Sequence, residues 1–199
     1  MSKRVTLLAL CGVLILSLAG CGSEPAPQPE QKSATPAAKA EPPAPTYDIT
    51  KESLLDHPDW TSKNVVLLGA KIGDVTRNVE KNFGKLDNTR TLPDEYLTIY
   101  QGNGIFVYTT KLTGKIKKFE VYETFDKQIA DEKLKKLVAG GDLKYMREIL
   151  GPEEKTEENA DDQSTEYVYD AKGFRFVKYK VGGKTVNALR FNEMKKSTT

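Results

Sequence analysis

Residues 165–192 read TEYVYDAKGFRFVKYKVGGKTVNALRFN. Three runs rich in aromatic and β-branched residues, Thr165 to Asp170, Gly173 to Val181 and Lys184 to Asn192, are separated by Ala171-Lys172 and by Gly182-Gly183. Two-residue separators between such runs, one followed by Gly173 and the other Gly-Gly, predict tight hairpins and a three-stranded antiparallel meander. Pairing the runs across those turns gathers Tyr167, Tyr169, Phe174, Phe176, Leu189 and Phe191 on one face. A slip of one residue would move every side chain across the sheet, so a clean apolar face supports the register.

Ahead of this meander, Gly140-Gly141-Asp142-Leu143 leads to Leu150-Gly151-Pro152. Asp142 suits an N-cap, Gly151 a left-handed C′ position, and Pro152 a stop. Leu143, Met146 and Leu150, spaced i, i+3, i+7, predict a helix with one apolar face that needs a cover.

The same unit recurs about 69 residues upstream. Ile72-Gly73-Asp74-Val75 runs to Phe83-Gly84, with Val75, Val79 and Phe83 at i, i+4, i+8 and Asp74 in the N-cap position. Three strands follow: Tyr96 to Gln101, Gly104 to Leu112 and Lys115 to Glu123, turning at Gly102-Asn103 and Thr113-Gly114. The pairings predicted are Ile99 with Phe106, Leu97 with Tyr108, Tyr108 with Phe119, and Phe106 with Val121, all on one face. The fold class expected is therefore α+β: two tandem repeats, each a short helix or helix pair on a three-stranded antiparallel meander, with the meanders free to join in one sheet. Phe125, Ile129, Leu134, Leu137 and Val138 predict a further short helix between the copies. Glu153 to Gln163, rich in acids, is read as a solvated loop, since it lacks the alternating ligands and central Gly of a calcium loop.

The N-terminus carries a different signal. Lys3 and Arg4 precede an uncharged apolar run from Val5 to Ala19, which ends in Leu18-Ala19-Gly20-Cys21. Charged start, apolar stretch and small-residue box form a secretory signal, and a run of about 15 residues is short for a spanning helix. The box resembles the lipobox of bacterial lipoproteins. That resemblance implies cleavage between Gly20 and Cys21, a diacylglyceryl thioether on Cys21, and a folded part outside the cytoplasm, on the periplasmic side in a diderm cell. Two acyl chains suffice for stable anchoring.

Cleavage removes Lys3 and Arg4 but no acid, leaving 28 basic and 28 acidic residues. No net positive field remains to favour nucleic acid. Cys11 leaves with the signal and Cys21 takes lipid, so no thiol is left for a disulfide or a Cys-based metal site. Residues 22–46 hold seven of the ten prolines and no aromatic, Leu, Ile or Val. Such a segment cannot bury enough apolar surface to order itself, and it reads as a tether reaching roughly 75 Å. The organisation expected is signal 1–20, lipidated Cys and tether 21–46, entry segment 47–68, first repeat 69–125, second repeat 126–193 and tail 194–199.

The unit of Gly-Asp, short helix, Leu150-Gly151-Pro152, Tyr167-Val168-Tyr169 and Gly173-Phe174-Arg175-Phe176 resembles the repeats of beta-lactamase-inhibitor-protein-like domains. It is similar also to the small lipoprotein of the outer-membrane barrel assembly machinery, over about residues 69 to 193. The resemblance implies helices on one side and a continuous sheet face on the other. That face is expected to carry Tyr96, Tyr100, Val107 and Tyr122 from the first copy and Arg175, Val177, Tyr179 and Arg190 from the second. Tyr and Arg are enriched at binding hot spots.

The function expected is a non-catalytic, lipid-anchored envelope protein that binds another envelope protein or polymer through this face, with Tyr96, Tyr100, Tyr122, Arg175, Tyr179 and Arg190 as partner-binding residues. No cofactor, metal or nucleic acid is expected. The alternatives are a small-ligand binder with a pocket between helices and sheet, and a cell-wall-active enzyme. The second lacks Gly-x-Ser-x-Gly, a phosphate loop and His-Glu-x-x-His. The only histidine, His57 in Asp56-His57-Pro58-Asp59-Trp60, has no partner constellation and reads as a turn residue, while Trp60 and Val65 to Leu68 are expected to pack on the body.

Overall fold

The computed structural model describes residues 44–194. The signal, Gly20 and Cys21, the tether to residue 43 and the tail from residue 195 lie outside the described residues. The chain enters through β1 (Tyr47–Asp48) and β2 (Val65–Val66), which pair in parallel. A short helix α1 (Thr76–Val79) runs on into a 3-10 turn, Glu80–Phe83, and precedes β3 (Asn88–Thr91), β4 (Glu95–Tyr100), β5 (Ile105–Thr110) and β6 (Ile116–Tyr122). Two helices follow, α2 (Glu132–Val138) and α3 (Leu143–Leu150), then β7 (Lys155–Asn159), β8 (Ser164–Tyr169), β9 (Phe174–Val181) and β10 (Lys184–Asn192). Strands β3 to β10 form one antiparallel eight-stranded sheet in the order β3-β4-β5-β6-β10-β9-β8-β7. The protein is mixed α/β, with a large antiparallel sheet and few, short helices, and its two strand groups join through β6 and β10.

In the second group the expected face forms. Tyr167 pairs with Phe176 and Tyr169 with Phe174; Leu189 pairs with Phe176 and Phe191 with Phe174. All six side chains are buried in one cluster with Leu134, Leu137, Val138 and Met146 of α2 and α3. Asp142 caps α3, accepting from Tyr145 N at 2.8 Å, and Gly151 ends it at φ +80°. The Tyr169 hydroxyl donates to Gly151 O at 2.9 Å, tying the helix end to the sheet.

The first group departs from expectation. Leu97 pairs with Tyr108 and Ile99 with Phe106, as expected, but Phe119 pairs with Val107 and Val121 with Ile105. The cause lies in the β5–β6 connection: the turn takes four residues, Lys111 to Gly114, and the register shifts at Tyr108/Thr109. One residue of shift changes parity, so Phe119 and Val121 face the helices while Leu97, Ile99, Phe106 and Tyr108 face the other way. Their places in the core go to Tyr100, Ile105 and Val107, which pack with Phe83 and Phe119. Asp74 is not a cap; it accepts from Lys71 N at 2.8 Å, and Val75 takes the N-cap position without a side-chain bond.

Each group also has a fourth strand at its outer edge. β3 is exposed throughout, and β7 lies inside the stretch read as an acidic loop. Both are wholly polar, Asn-Thr-Arg-Thr and Lys-Thr-Glu-Glu-Asn, so neither shows apolar alternation to betray it.

The entry segment packs on the helix side. Trp60 meets Phe174 and Phe191 edge-on, at ring separations of 5.6 and 6.5 Å. Buried Asp131 both caps α2, through Lys133 N and Leu134 N, and accepts from Ser53 Oγ and Leu55 N at 2.9 and 2.8 Å. The main core cluster lies wholly between Tyr47 and Phe191. No helix among the described residues is long and apolar enough to cross a membrane.

Candidate functional site

Side chains alternate along a strand, so the registers assign the second sheet face. Across the join it carries Phe106 and Tyr108 of β5, Lys118, Glu120 and Tyr122 of β6, Ala188 and Arg190 of β10, Arg175, Val177 and Tyr179 of β9, and Glu166 of β8. The buried residues of the helices, by contrast, belong to the cluster on the opposite face. Four of the six expected binding residues, Tyr122, Arg175, Tyr179 and Arg190, converge here together with Val177. Tyr96 and Tyr100 do not: both pair in phase with Thr109 and Ile105 on the helix side, where Tyr100 is buried in the core and Tyr96 is solvent-exposed. Val107 is likewise a core residue.

Arg190 is the centre of the face. Its Nε donates to Glu120 Oε1, its Nη1 to Glu166 Oε1, and its Nη2 to the Tyr179 hydroxyl at 2.6 Å. Tyr122 donates to Glu120 Oε2 at 2.6 Å, and Tyr179 lies 3.1 and 3.2 Å from the two Glu120 oxygens. Arg175 extends the chain, donating through Nη1 to Glu166 and, at 2.8 Å, to Glu157. Although no described helix covers it, Glu120 is 0% exposed and Arg190 7%. The aromatic rings supply the cover: Tyr122 stacks on Tyr179 at 5.9 Å and touches Phe106 at 4.5 Å. Beside them Leu97, Ile99 and Tyr108 form a second small apolar cluster with Leu92 and Phe106, and Lys118 sits 3.6 Å over the Tyr108 ring while donating to Glu95 at 3.2 Å.

The electrostatics follow from burial. Loss of water drives the Arg190 guanidinium toward neutrality, but the Glu120 and Glu166 carboxylates reverse that and hold it charged. Burial likewise pushes the Glu166 carboxyl up, and the charge of Arg190 with the hydrogen bonds from Arg175 and Arg190 outweighs it, leaving the group below the usual carboxylate range. Burial, then the nearby Glu120, pushes the Tyr108, Tyr122 and Tyr179 phenols up. Lys118 is held down, by burial first and by Arg190 second. Charge is thus locked in pairs, and every arginine at the centre has a fixed orientation.

The guanidinium and phenol groups of this array are held in fixed orientations by one another. An open pocket beside the cluster is lined by Glu157, Glu158, Glu166 and Arg175, and there Arg175 donates to both Glu157 and Glu166. His57 stands apart, stacked on Tyr47 at 4.1 Å with Nε2 3.1 Å from Glu52. Among the described residues no three His, Cys, Asp or Glu side chains are grouped to hold a metal.

Glu120 and Glu166 are the residues sequence reasoning missed. Each is the lone acid of its strand, set among aromatic and β-branched neighbours in Phe-Glu-Val-Tyr and Thr-Glu-Tyr-Val-Tyr. A carboxylate at such a position needs a buried partner, and that was the available signal; the partner, Arg190, is 70 and 24 residues away. No protein-family model, no curated protein and no solved structure matches this chain.

Proposed function

We propose that the chain is a non-catalytic, lipid-anchored cell-envelope protein whose helix-free sheet face binds another envelope protein or polymer. Tyr122, Arg175, Tyr179 and Arg190 form the centre of that contact, and Cys21 carries the lipid. One observation carries the reading: the helices and the entry segment pack on one sheet face, while the other holds an oriented Arg–Tyr–Glu cluster beside the apolar patch of Leu97, Ile99 and Phe106. Aromatic and guanidinium anchors ringed by polar side chains match the composition of binding hot spots.

The finer architecture belongs to the same proposal. Two halves of one duplicated unit are supported by the strand order, which runs outward from the β6–β10 join in matching fashion. They are supported as well by the 3-10 turns Gln101–Asn103 and Asp170–Lys172, which close on Gly104 and Gly173 at φ +65° and +64°. The resemblance to inhibitor-protein-like domains is part of this proposal and rests on the motifs Leu150-Gly151-Pro152, Tyr167-Val168-Tyr169 and Gly173-Phe174-Arg175-Phe176.

A photoreactive phenylalanine analogue at Phe106, in the native envelope, tests the function. Phe106 is half-buried on the face, and Lys144, exposed on α3, serves as control. Capture of a discrete partner from position 106 and not from 144 is the expected result. Equal or absent capture from both positions overturns the binding role of the face.

A further inference from the structure

The β5–β6 hairpin ends in Lys111-Leu112-Thr113-Gly114-Lys115. Leu112 is 98% exposed, far beyond any other large apolar residue of the described chain; Val181, the next, is at 59%. A leucine fully in water on a loop tip adds nothing to the core, and the tip that presents it is held by hydrogen bonds. Thr110 N donates to Lys115 O at 2.9 Å, Gly114 N to Thr110 O at 3.0 Å, and the Thr110 and Thr113 hydroxyls are 2.5 Å apart. The turn is also fastened to the helix layer, where Thr76 N and Oγ1 both donate to Gly114 O at 3.0 Å.

The surroundings of Leu112 are basic. Lys111 and Lys115 flank it, Arg77 follows the fastening residue Thr76, and Lys117 lies two residues into β6. Among the described residues Lys111, Lys115 and Arg77 form no ion pair; Lys111 Nζ donates instead to Pro93 O at 2.7 Å, in the turn that also carries Asp94. Val181 offers the contrast. Its hairpin lies at the opposite end of the sheet, with Lys180 N bonded to Gln163 O in the turn that bears Asp161 and Asp162. Lys180 and Lys184 flank Val181 as Lys111 and Lys115 flank Leu112, but Asp161 and Asp162 offset them, whereas at the Leu112 tip Lys111, Lys115 and Arg77 outnumber Asp74 and Asp94.

The chain also leaves the described body at the Leu112 end. Glu193 N donates to Lys117 O and Asn192 N to Gly173 O, which puts the start of β9 beside the upper end of β6. Ser62 N donates to Lys172 O there, and Tyr47 N donates to Asn64 O, two residues from Ser62. Residues 44–46 therefore emerge on the side of the sheet that carries the tip.

From these observations we infer that the Lys111–Lys115 hairpin is a membrane-contact site, with Leu112 inserting among the acyl chains of an anionic bilayer and Lys111, Lys115 and Arg77 meeting its phosphate headgroups. An apolar residue under a ring of cations is the arrangement of an interfacial anchor. Contact would turn the β6–β10 end toward the bilayer and leave the sheet face pointing sideways, open to a partner. The orientation argument rests on the lipid-anchor proposal, but the contact itself needs no lipid on the protein.

The test therefore uses residues 42–199, which contain the whole core cluster and lack Cys21, at millimolar lipid, about the effective concentration a tether provides. Vesicles of equal parts phosphatidylglycerol and phosphatidylcholine are expected to sediment the protein, and vesicles of phosphatidylcholine alone to sediment far less. Leu112→Ser should weaken binding about tenfold or more, and Lys115→Glu at least about fivefold. Val181→Ser should change nothing. In a second measurement, Leu112→Trp should give a blue-shifted emission on adding the anionic vesicles, and Val181→Trp should not. No binding, or binding indifferent to Leu112→Ser, overturns the site while leaving the lipid-anchor and sheet-face proposals standing, because Cys21 is absent and no variant alters a residue of the face.

Discussion

Arg190 and Glu120 meet across the single seam that joins the two strand groups, with Arg190 Nε donating to a Glu120 oxygen and both side chains withdrawn from water. They are paired residues of β10 and β6, so the ion pair and the backbone ladder close the same joint. Removing one partner of a buried pair strands the other charge. Arg190→Ala should thus destabilise by about 3–5 kcal/mol, and Glu120→Gln should also cost stability. In urea denaturation the two changes should be strongly non-additive, since they share one network; additive losses would show that the groups do not interact.

The pH dependence of stability should carry the mark of Glu166. Its folded-state carboxyl titrates below the ordinary value of 4.5, so the native state holds the ionised form more firmly than the unfolded chain does. The stabilisation is fully present above about pH 4.5 and declines as pH falls through the lowered folded value. Glu153, brought to about 2 by its hydrogen bond with Arg147, acts in the same sense at the protein surface. Unfolding midpoints measured from pH 7 downward should fall through this window, and Glu166→Gln should flatten the slope.

At high pH the sign reverses. Tyr108, Tyr122 and Tyr179 have raised phenol pKa values, so their contribution is complete below 10, the ordinary tyrosine value, and is lost progressively above it. Ultraviolet titration should show a set of phenols that ionise only as the protein unfolds. Tyr122→Phe and Tyr179→Phe should each remove one member of that set.

Which face of the first strand group is inside can be settled by stability. Phe119 is 1% exposed among core aromatics, so Phe119→Ala should cost about 3–5 kcal/mol. Phe106→Ala, on the helix-free face and half-buried, should cost about half of that or less, and Tyr96→Ala under about 1 kcal/mol. Equal losses at Phe106 and Phe119 would contradict the register of β5 against β6.

Two glycines at positive φ separate strain from collision. A Cβ on Gly173 would lie 2.1 Å from Ser62 Oγ and 3.0 Å from Asn192 O, whereas one on Gly183 would meet nothing within 4 Å. Gly183→Ala should cost about 1 kcal/mol of backbone strain. Gly173→Ala should cost clearly more in the same denaturation assay, since it also prises the entry segment from the end of the sheet.

Much of this architecture was legible in the chain because it is written in local patterns. The second meander could be paired from Tyr167-Val168-Tyr169 and Gly173-Phe174-Arg175-Phe176 because its connections preserve parity, and Asp142 announced α3 because a cap acts on its own next residues. The first meander could not be read to the end. The turn takes four residues, Lys111 to Gly114, closed by bonds from Thr110 N to Lys115 O and from Thr76 to Gly114 O, which keeps parity; the one-residue shift at Tyr108/Thr109 then moved Tyr100 and Val107 inward and Phe106 outward. β3 and β7 escaped notice because an edge strand can be wholly polar.

The amino-acid order alone thus determined a helix-and-meander body, a proline-rich segment without core-forming residues, and the packing of Trp60 on that body, since each depends on periodicity or composition within a short window. The tertiary structure decided which aromatic residues share a face and that buried Glu120, Glu166 and Arg190 form one network with half-buried Arg175. The first depends on the register shift between β5 and β6 and the second on β6 meeting β10, a pairing of segments about 70 residues apart, where partner choice is settled by packing and charge neutralisation together, not by any signal in either strand.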